Sequence, residues 1–224
     1  NNKILRTYPL FQNNIEIVVK DLGYQLRWST VFFAEYIGPL LIYLLFYYLG
    51  QKKHQMTFNQ KIGLGMGAIH YIKRVLETQF VHVFSRESMP LSSCWKNFVH
   101  YWLFFGTFIG VEYFFYYKET QYNELTKGLL VLGWVASEFM NMMCHIHLSQ
   151  IRKNVETKKD EDILSMNQRR KIPKGWGFNQ VSCANYLWET CSWIFFSAFS
   201  RCYSSYFFTF VSFIQMFQWA LQKH

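Results

Sequence analysis

The apolar residues of this chain gather into six blocks, at about 28–49, 61–82, 98–117, 128–148, 183–200 and 203–221, with shorter polar segments between them. Each block approaches the roughly 20 residues that a helix needs to cross a bilayer. Backbone groups in lipid must find their hydrogen bonds internally, which favours helices. Val31 to Leu49 holds one charge, Glu35, and Phe98 to Tyr117 holds Glu112 near its end. Leu129 to Met143 and Tyr203 to Leu221 are similarly apolar. The pattern predicts an all-α integral membrane protein, a bundle of about six transmembrane helices over residues 28–224 enclosing a polar chamber. Residues 1–27 read as a polar lead-in in which Ile15–Val19 could form one strand. The Trp28, Trp102, Trp134, Trp188 and Trp219 side chains, with Tyr47-Tyr48 and Tyr116-Tyr117, fit interfacial belts near helix ends.

The polar residues inside these blocks change the picture. On the second block His70, Arg74 and Glu77 stand at i, i+4 and i+7 and share one helix face, with Tyr71 one step round. Ionisable groups at membrane depth are costly, so by default they face a protein-lined interior and mark function. A plain intrahelical Arg74–Glu77 pair is the simpler reading. On the fourth block Asn141, His145, Ser149 and Arg152 form a stripe from mid-span to the membrane surface. A stripe that ends in Arg suits an anionic ligand entering from that side. Asn185 and Glu189 share a face at the start of the fifth block, where Ser182 is a plausible N-cap. Glu35, buried and neutral or paired, could trade a proton.

Charge sets the orientation. The net charge is +9, yet charged residues make up 17% of the chain against 51% hydrophobic and 21% aromatic, and the mean hydropathy is −0.02. The N-terminal segment, second loop, fourth loop and C-terminus together hold 15 Lys and Arg, and the opposite loops hold five. The positive-inside rule then puts both termini in the cytosol or an organelle matrix. Basic residues that flank membrane segments argue against nucleic acid as a partner. The five cysteines show no paired metal spacing and read as reduced core residues. His145-x-His147 is a conceivable metal pair, but membrane di-iron sites need far more than the seven histidines present, so no metal is expected. Gly175-x-Gly177 could let backbone approach a phosphate, without the strand context of a dinucleotide fingerprint. No cleavable leader stands out, and sequence before Asn1 is expected.

The segments Glu35-Tyr36-Ile37-Gly38-Pro39, His70-Tyr71-Ile72-Lys73-Arg74-Val75-Leu76-Glu77-Thr78, Val181-Ser182-Cys183-Ala184-Asn185-Tyr186 with Glu189 and Trp193, and Gln215-Met216-x-x-Trp219-Ala220 together resemble the trans-2-enoyl-CoA reductase branch of the steroid 5-alpha-reductase family. The resemblance implies a helical membrane bundle around NADPH and reduction of the 2,3 double bond of a trans-2-enoyl-CoA in very-long-chain fatty-acid elongation. It implies Tyr71 and Glu35 as the donor pair at the substrate carbonyl, with Tyr186 a second proton donor. It assigns Arg74, Asn141, His145, Arg152, Lys171, Asn185 and Glu189 to the cofactor side. Ser149 departs from the arginine usual there. The implied partners are an acyl-CoA or other lipid substrate, membrane lipids and possible membrane-complex subunits. The implied location is the endoplasmic reticulum, with the mitochondrial inner membrane as the alternative. Two other readings fit the same residues: a catalytically weakened structural subunit, and a steroid or polyprenol reductase.

Overall fold

The computed structural model describes residues 23–84, 88–119, 121–157 and 172–223. Six continuous helices account for most of them. Helix α1 is Trp28–Lys53. Helix α2, Phe58–Leu76, continues as a π-helical segment over Glu77–Val81. Helix α3, Leu91–Phe98, runs through a second π-helical segment, Val99–Ile109, into α4, Gly110–Phe115. Helices α5 (Glu124–Thr157), α6 (Ala184–Ser200) and α7 (Tyr203–Lys223) follow. The predicted blocks therefore each became a helix. Three stretches, Trp28–Lys53, Leu91–Phe115 and Glu124–Lys153, are long and apolar enough to cross a membrane by length and composition alone. The other three carry more polar side chains. The chain is an all-α membrane protein.

At 1.5 Å per residue the 34-residue α5 is about 51 Å long, well beyond the ~30 Å hydrocarbon layer, so its end carries Arg152 out to the surface.

Local chemistry explains several boundaries. Helix α2 opens with a capping box: the Gln60 amide donates to the Thr57 hydroxyl at 3.2 Å, and the Thr57 amide donates to the Gln60 side chain at 3.0 Å. Helix α6 starts one residue later than the expected cap. Its N-cap is Cys183, which makes no side-chain bond, so Ser182 does not cap it. The first two amides of α7 are instead held from α4, where the Glu112 carboxylate accepts from Tyr203 N at 2.8 Å and Ser204 N at 2.7 Å. Arg201, at φ 51°, makes the left-handed turn between α6 and α7.

One short pairing lay outside the sequence reading. Gln25–Arg27 (β1) pairs antiparallel with Ser88–Pro90 (β2), Leu26 opposite Met89. The Ile15–Val19 strand lies outside the described residues.

The core is aromatic. Tyr36, Tyr43, Tyr71, Phe105, Tyr113, Phe114, Trp193, Phe196 and Phe208 are all buried in one cluster. Close approach is built in at Gly38: a Cβ there would lie 2.2 Å from the Trp102 indole, whose N–H donates to Ala34 O at 3.1 Å. Trp102 thus packs half-buried between helices, and Trp134 is buried in the core, so Trp134 is not a lipid-facing belt residue. An indole is large enough to fill an interhelical gap, and at Trp134 that contact outweighs interfacial placement.

Candidate active site

A ladder of polar side chains joins α2 to α5. His70 Nδ1 meets Glu138 Oε1 at 2.8 Å. One turn on, the Lys73 ammonium donates to Asn141 Oδ1 at 2.6 Å and pairs with Glu138 Oε2 at 2.7 Å. Then come Arg74 and Glu77 against His145, the Ser149 hydroxyl donating to Val81 O at 2.5 Å, and Arg152 donating to Val83 O at 2.6 Å. The partners are separated by a nearly constant 68 to 71 residues. A constant offset means that the two helices run parallel, as the second and fourth spans of an alternating membrane chain must.

The middle rung is the most densely bonded. Glu77 Oε2 accepts from Arg74 Nη1 at 2.8 Å and faces His145 Nδ1 at 2.8 Å. A carboxylate is acceptor-only, so Nδ1 carries the proton here, and the 3.0 Å Nη1–Nδ1 approach is that of two donors flanking one oxygen. The other arm of the guanidinium donates to Tyr36 Oη at 2.7 Å. The sequence-level Arg74–Glu77 pair exists, then, but as one part of a three-helix junction. Glu77, Arg74, His145 and Tyr36 are all buried.

Glu77, His82 and His145 each offer a ligand atom within 4.8 Å of the others. Arg74 at 2.8 Å and Lys73 at 3.9 Å already bring two positive charges to that carboxylate, which opposes a divalent cation in so dry a setting. His145 and His147 do not converge: His147 packs 6.3 Å from the Phe178 ring.

Tyr71 lies fully buried against Phe105, with ring centroids 4.6 Å apart, and near Tyr101 and Trp193. Its hydroxyl has no hydrogen-bond partner, and Arg74 Nε has none either. A buried unpaired donor costs about 1–3 kcal/mol, so each orphan calls for an explanation. Glu35, 1% exposed, accepts from Asn97 Nδ2 at 2.5 Å, and the Tyr71 hydroxyl does not bond it. Asn141 Nδ2 donates to Asn185 O at 2.8 Å and ties α5 to the first turn of α6. Glu189, buried on α6, lies within electrostatic reach of Arg74, Tyr36 and Tyr71. Tyr186 neighbours Trp219 of α7 with ring centroids 6.1 Å apart. Lys171 falls outside the described residues. Gly175 and Gly177 take φ values of 78° and 99°, and the turn closes on itself through Phe178 N to Gly175 O at 2.9 Å.

Sequence reasoning missed Glu138, Lys73 and Tyr36 as members of this cluster. Glu138 precedes Asn141 by three residues and extends the α5 stripe by a turn, which was a readable signal.

Comparisons with known proteins agree with this architecture. The profile of the 3-oxo-5-alpha-steroid 4-dehydrogenase family matches residues 87–224. A Schizosaccharomyces pombe protein described as an enoyl reductase is 38% identical over 231 residues, covering 100% of this chain and 73% of its own length. The very-long-chain enoyl-CoA reductase of Dictyostelium discoideum is 39% identical, over 92% of this chain and 65% of its own length. The human trans-2,3-enoyl-CoA reductase-like protein is 32% identical, over 94% of this chain and 58% of its own length. The chain thus spans from under two thirds to about three quarters of these relatives. On that evidence the chain belongs to the 3-oxo-5-alpha-steroid 4-dehydrogenase family, within its enoyl-CoA reductase branch.

Proposed function

We propose that this protein is an NADPH-dependent enoyl-CoA reductase that saturates the 2,3 double bond of a trans-2-enoyl-CoA in very-long-chain fatty-acid elongation, working in the endoplasmic reticulum membrane. The names of its relatives support the reaction class. The observation that carries the reading is the Tyr71 hydroxyl, fully buried and without a partner. A thioester carbonyl is the acceptor that would complete it.

The residues present suit a nicotinamide cofactor. The Arg74 Nε–H is a second orphaned donor, and the Asn141, His145 and Arg152 side chains follow one another along the C-terminal half of α5, where Asn141 meets the Asn185 backbone at the start of α6. Arg74, Asn141, His145, Arg152, Lys171, Asn185 and Glu189 would hold it. The bound cofactor would supply a hydride to the substrate β-carbon. Tyr71 donates a hydrogen bond to the carbonyl oxygen, where negative charge develops, and lowers the barrier as an oxyanion-hole donor does. Arg74, held by Tyr36 and Glu77, presents positive charge to the same region. Glu35, on its Asn97 partner, is the companion acid near the carbonyl, and Tyr186 is the second candidate proton source for the α-carbon. The aromatic walls around Tyr71 keep water out.

The test is NADPH oxidation by the purified protein with a long-chain trans-2-enoyl-CoA, followed by the loss of NADPH absorbance. The wild type turns over and Tyr71→Phe loses about a hundredfold or more. A wild type that binds substrate and never oxidises NADPH overturns the proposal.

A further inference from the structure

Lys73 is part of neither the proposed donor set nor the proposed cofactor set, yet it stands at the junction of three helices. Its side chain is 12% exposed. It donates to Asn141 Oδ1 at 2.6 Å and pairs with Glu138 Oε2 at 2.7 Å. Glu138 is anchored in turn on His70 at 2.8 Å, and the His70 ring packs 4.4 Å from Trp193 of α6.

We infer that Lys73 is a positioning residue: through Asn141 it sets the first turn of α6, the helix that carries Asn185, Tyr186 and Glu189. The reason lies in amide symmetry. Asn141 is fully buried, and the two ends of its amide have almost the same shape. An ammonium only donates, so it draws Oδ1 towards itself. That leaves Nδ2 facing Asn185 O, where it donates at 2.8 Å. Without Lys73 the Oδ1 end loses its donor and the Asn185 carbonyl alone selects the Nδ2 end, so the amide is held at one end only and the tether slackens. Glu138 keeps the ammonium in place, because a long flexible lysine left alone would not define one position. The consequence for cofactor binding rests on the reductase reading. The tether between α5 and α6 does not.

Three variants of the complete protein in nanodiscs test this. Lys73→Met alone strands Glu138 and is expected to lower the thermal midpoint. Lys73→Met with Glu138→Gln removes both charges, keeps an acceptor for His70, and is expected to return the midpoint close to the wild type. In that double variant, hydrogen exchange of the backbone amides in 184–190 rises about tenfold and KM for NADPH rises about tenfold, the scale of one well-placed hydrogen bond, with kcat little changed. Lys73→Arg, which still donates, reverses both effects. A purely structural ion pair predicts instead that KM and exchange recover together with the midpoint, and that result overturns the inference. So does unchanged exchange over 184–190 in the double variant, whatever the turnover. If exchange rises as expected but the wild type never oxidises NADPH, the tether stands and the reductase reading falls.

Discussion

Replacing Tyr71 with Phe removes one oxygen from a fully buried site where it has no partner. The ring keeps its contacts with Phe105, Tyr101 and Trp193, at centroid distances of 4.6, 6.4 and 6.2 Å. An unpaired buried hydroxyl costs about 1–3 kcal/mol in proteins. Tyr71→Phe should therefore stabilise the ligand-free protein by about that amount. For a domain of this size that corresponds to a rise of roughly 2–12 °C in the thermal midpoint. Tyr113→Phe is the control: its hydroxyl donates to Asn59 O at 2.7 Å, so its loss should cost about 1 kcal/mol. The assay is intrinsic-fluorescence melting in detergent or nanodiscs, without cofactor or substrate, run beside the turnover assay. Two buried tyrosines, changed identically, should move the midpoint in opposite directions, and only the stabilised variant should lose catalysis through its missing donor. That is the trade of stability for function expected where a site keeps an unsatisfied group. A Tyr71→Phe protein that melts below the wild type would show that the hydroxyl is bonded in the resting state and would refute the argument.

Two more outcomes follow from packing. Glu112→Ala removes the acceptor for both leading amides of α7 and should cost about 1–2 kcal/mol, with Glu112→Gln intermediate, read as thermal midpoints; no change would mean that those amides are satisfied elsewhere. Gly38→Ala drives a methyl to within 2.2 Å of the Trp102 indole and should cost about 1–3 kcal/mol or more, partly recovered by Trp102→Phe, measured the same way; a neutral Gly38→Ala would mean that α1 and the Val99–Ile109 segment slide apart freely.

The helices were legible because runs of apolar residues near twenty long have few other solutions in lipid, and the observed ends depart from the expected ones by a few residues at most places. The largest gaps arise where polar residues prolong a helix, as at the end of α5, or where Pro90 starts one early at Leu91. The two stripes on α2 and α5 were legible because helical spacing is local. Their pairing was not: which rung meets which depends on the relative shift of two helices some 70 residues apart, and no local period encodes it. Glu138 hid inside an apolar run between Ser137 and Phe139, and Tyr36 read as an ordinary aromatic beside Glu35. Pairing of β1 with β2 was equally invisible, since three-residue strands carry no alternation to read. Ser182 has the right chemistry for a cap and the wrong position by one residue.

The offset of 68 to 71 residues between ladder partners also has a meaning in time. At about 5–20 residues per second, the ribosome needs some 3–14 s after making α2 to supply the matching part of α5. Until then His70, Lys73, Arg74 and Glu77 have no counterparts from that helix, and a lone charge at mid-membrane costs about 2.5–3.5 kcal/mol during insertion. Arg74 and Glu77 can pair with each other within that stretch meanwhile, so it is His70 and Lys73 whose partners, Glu138 and Asn141, come only with α5.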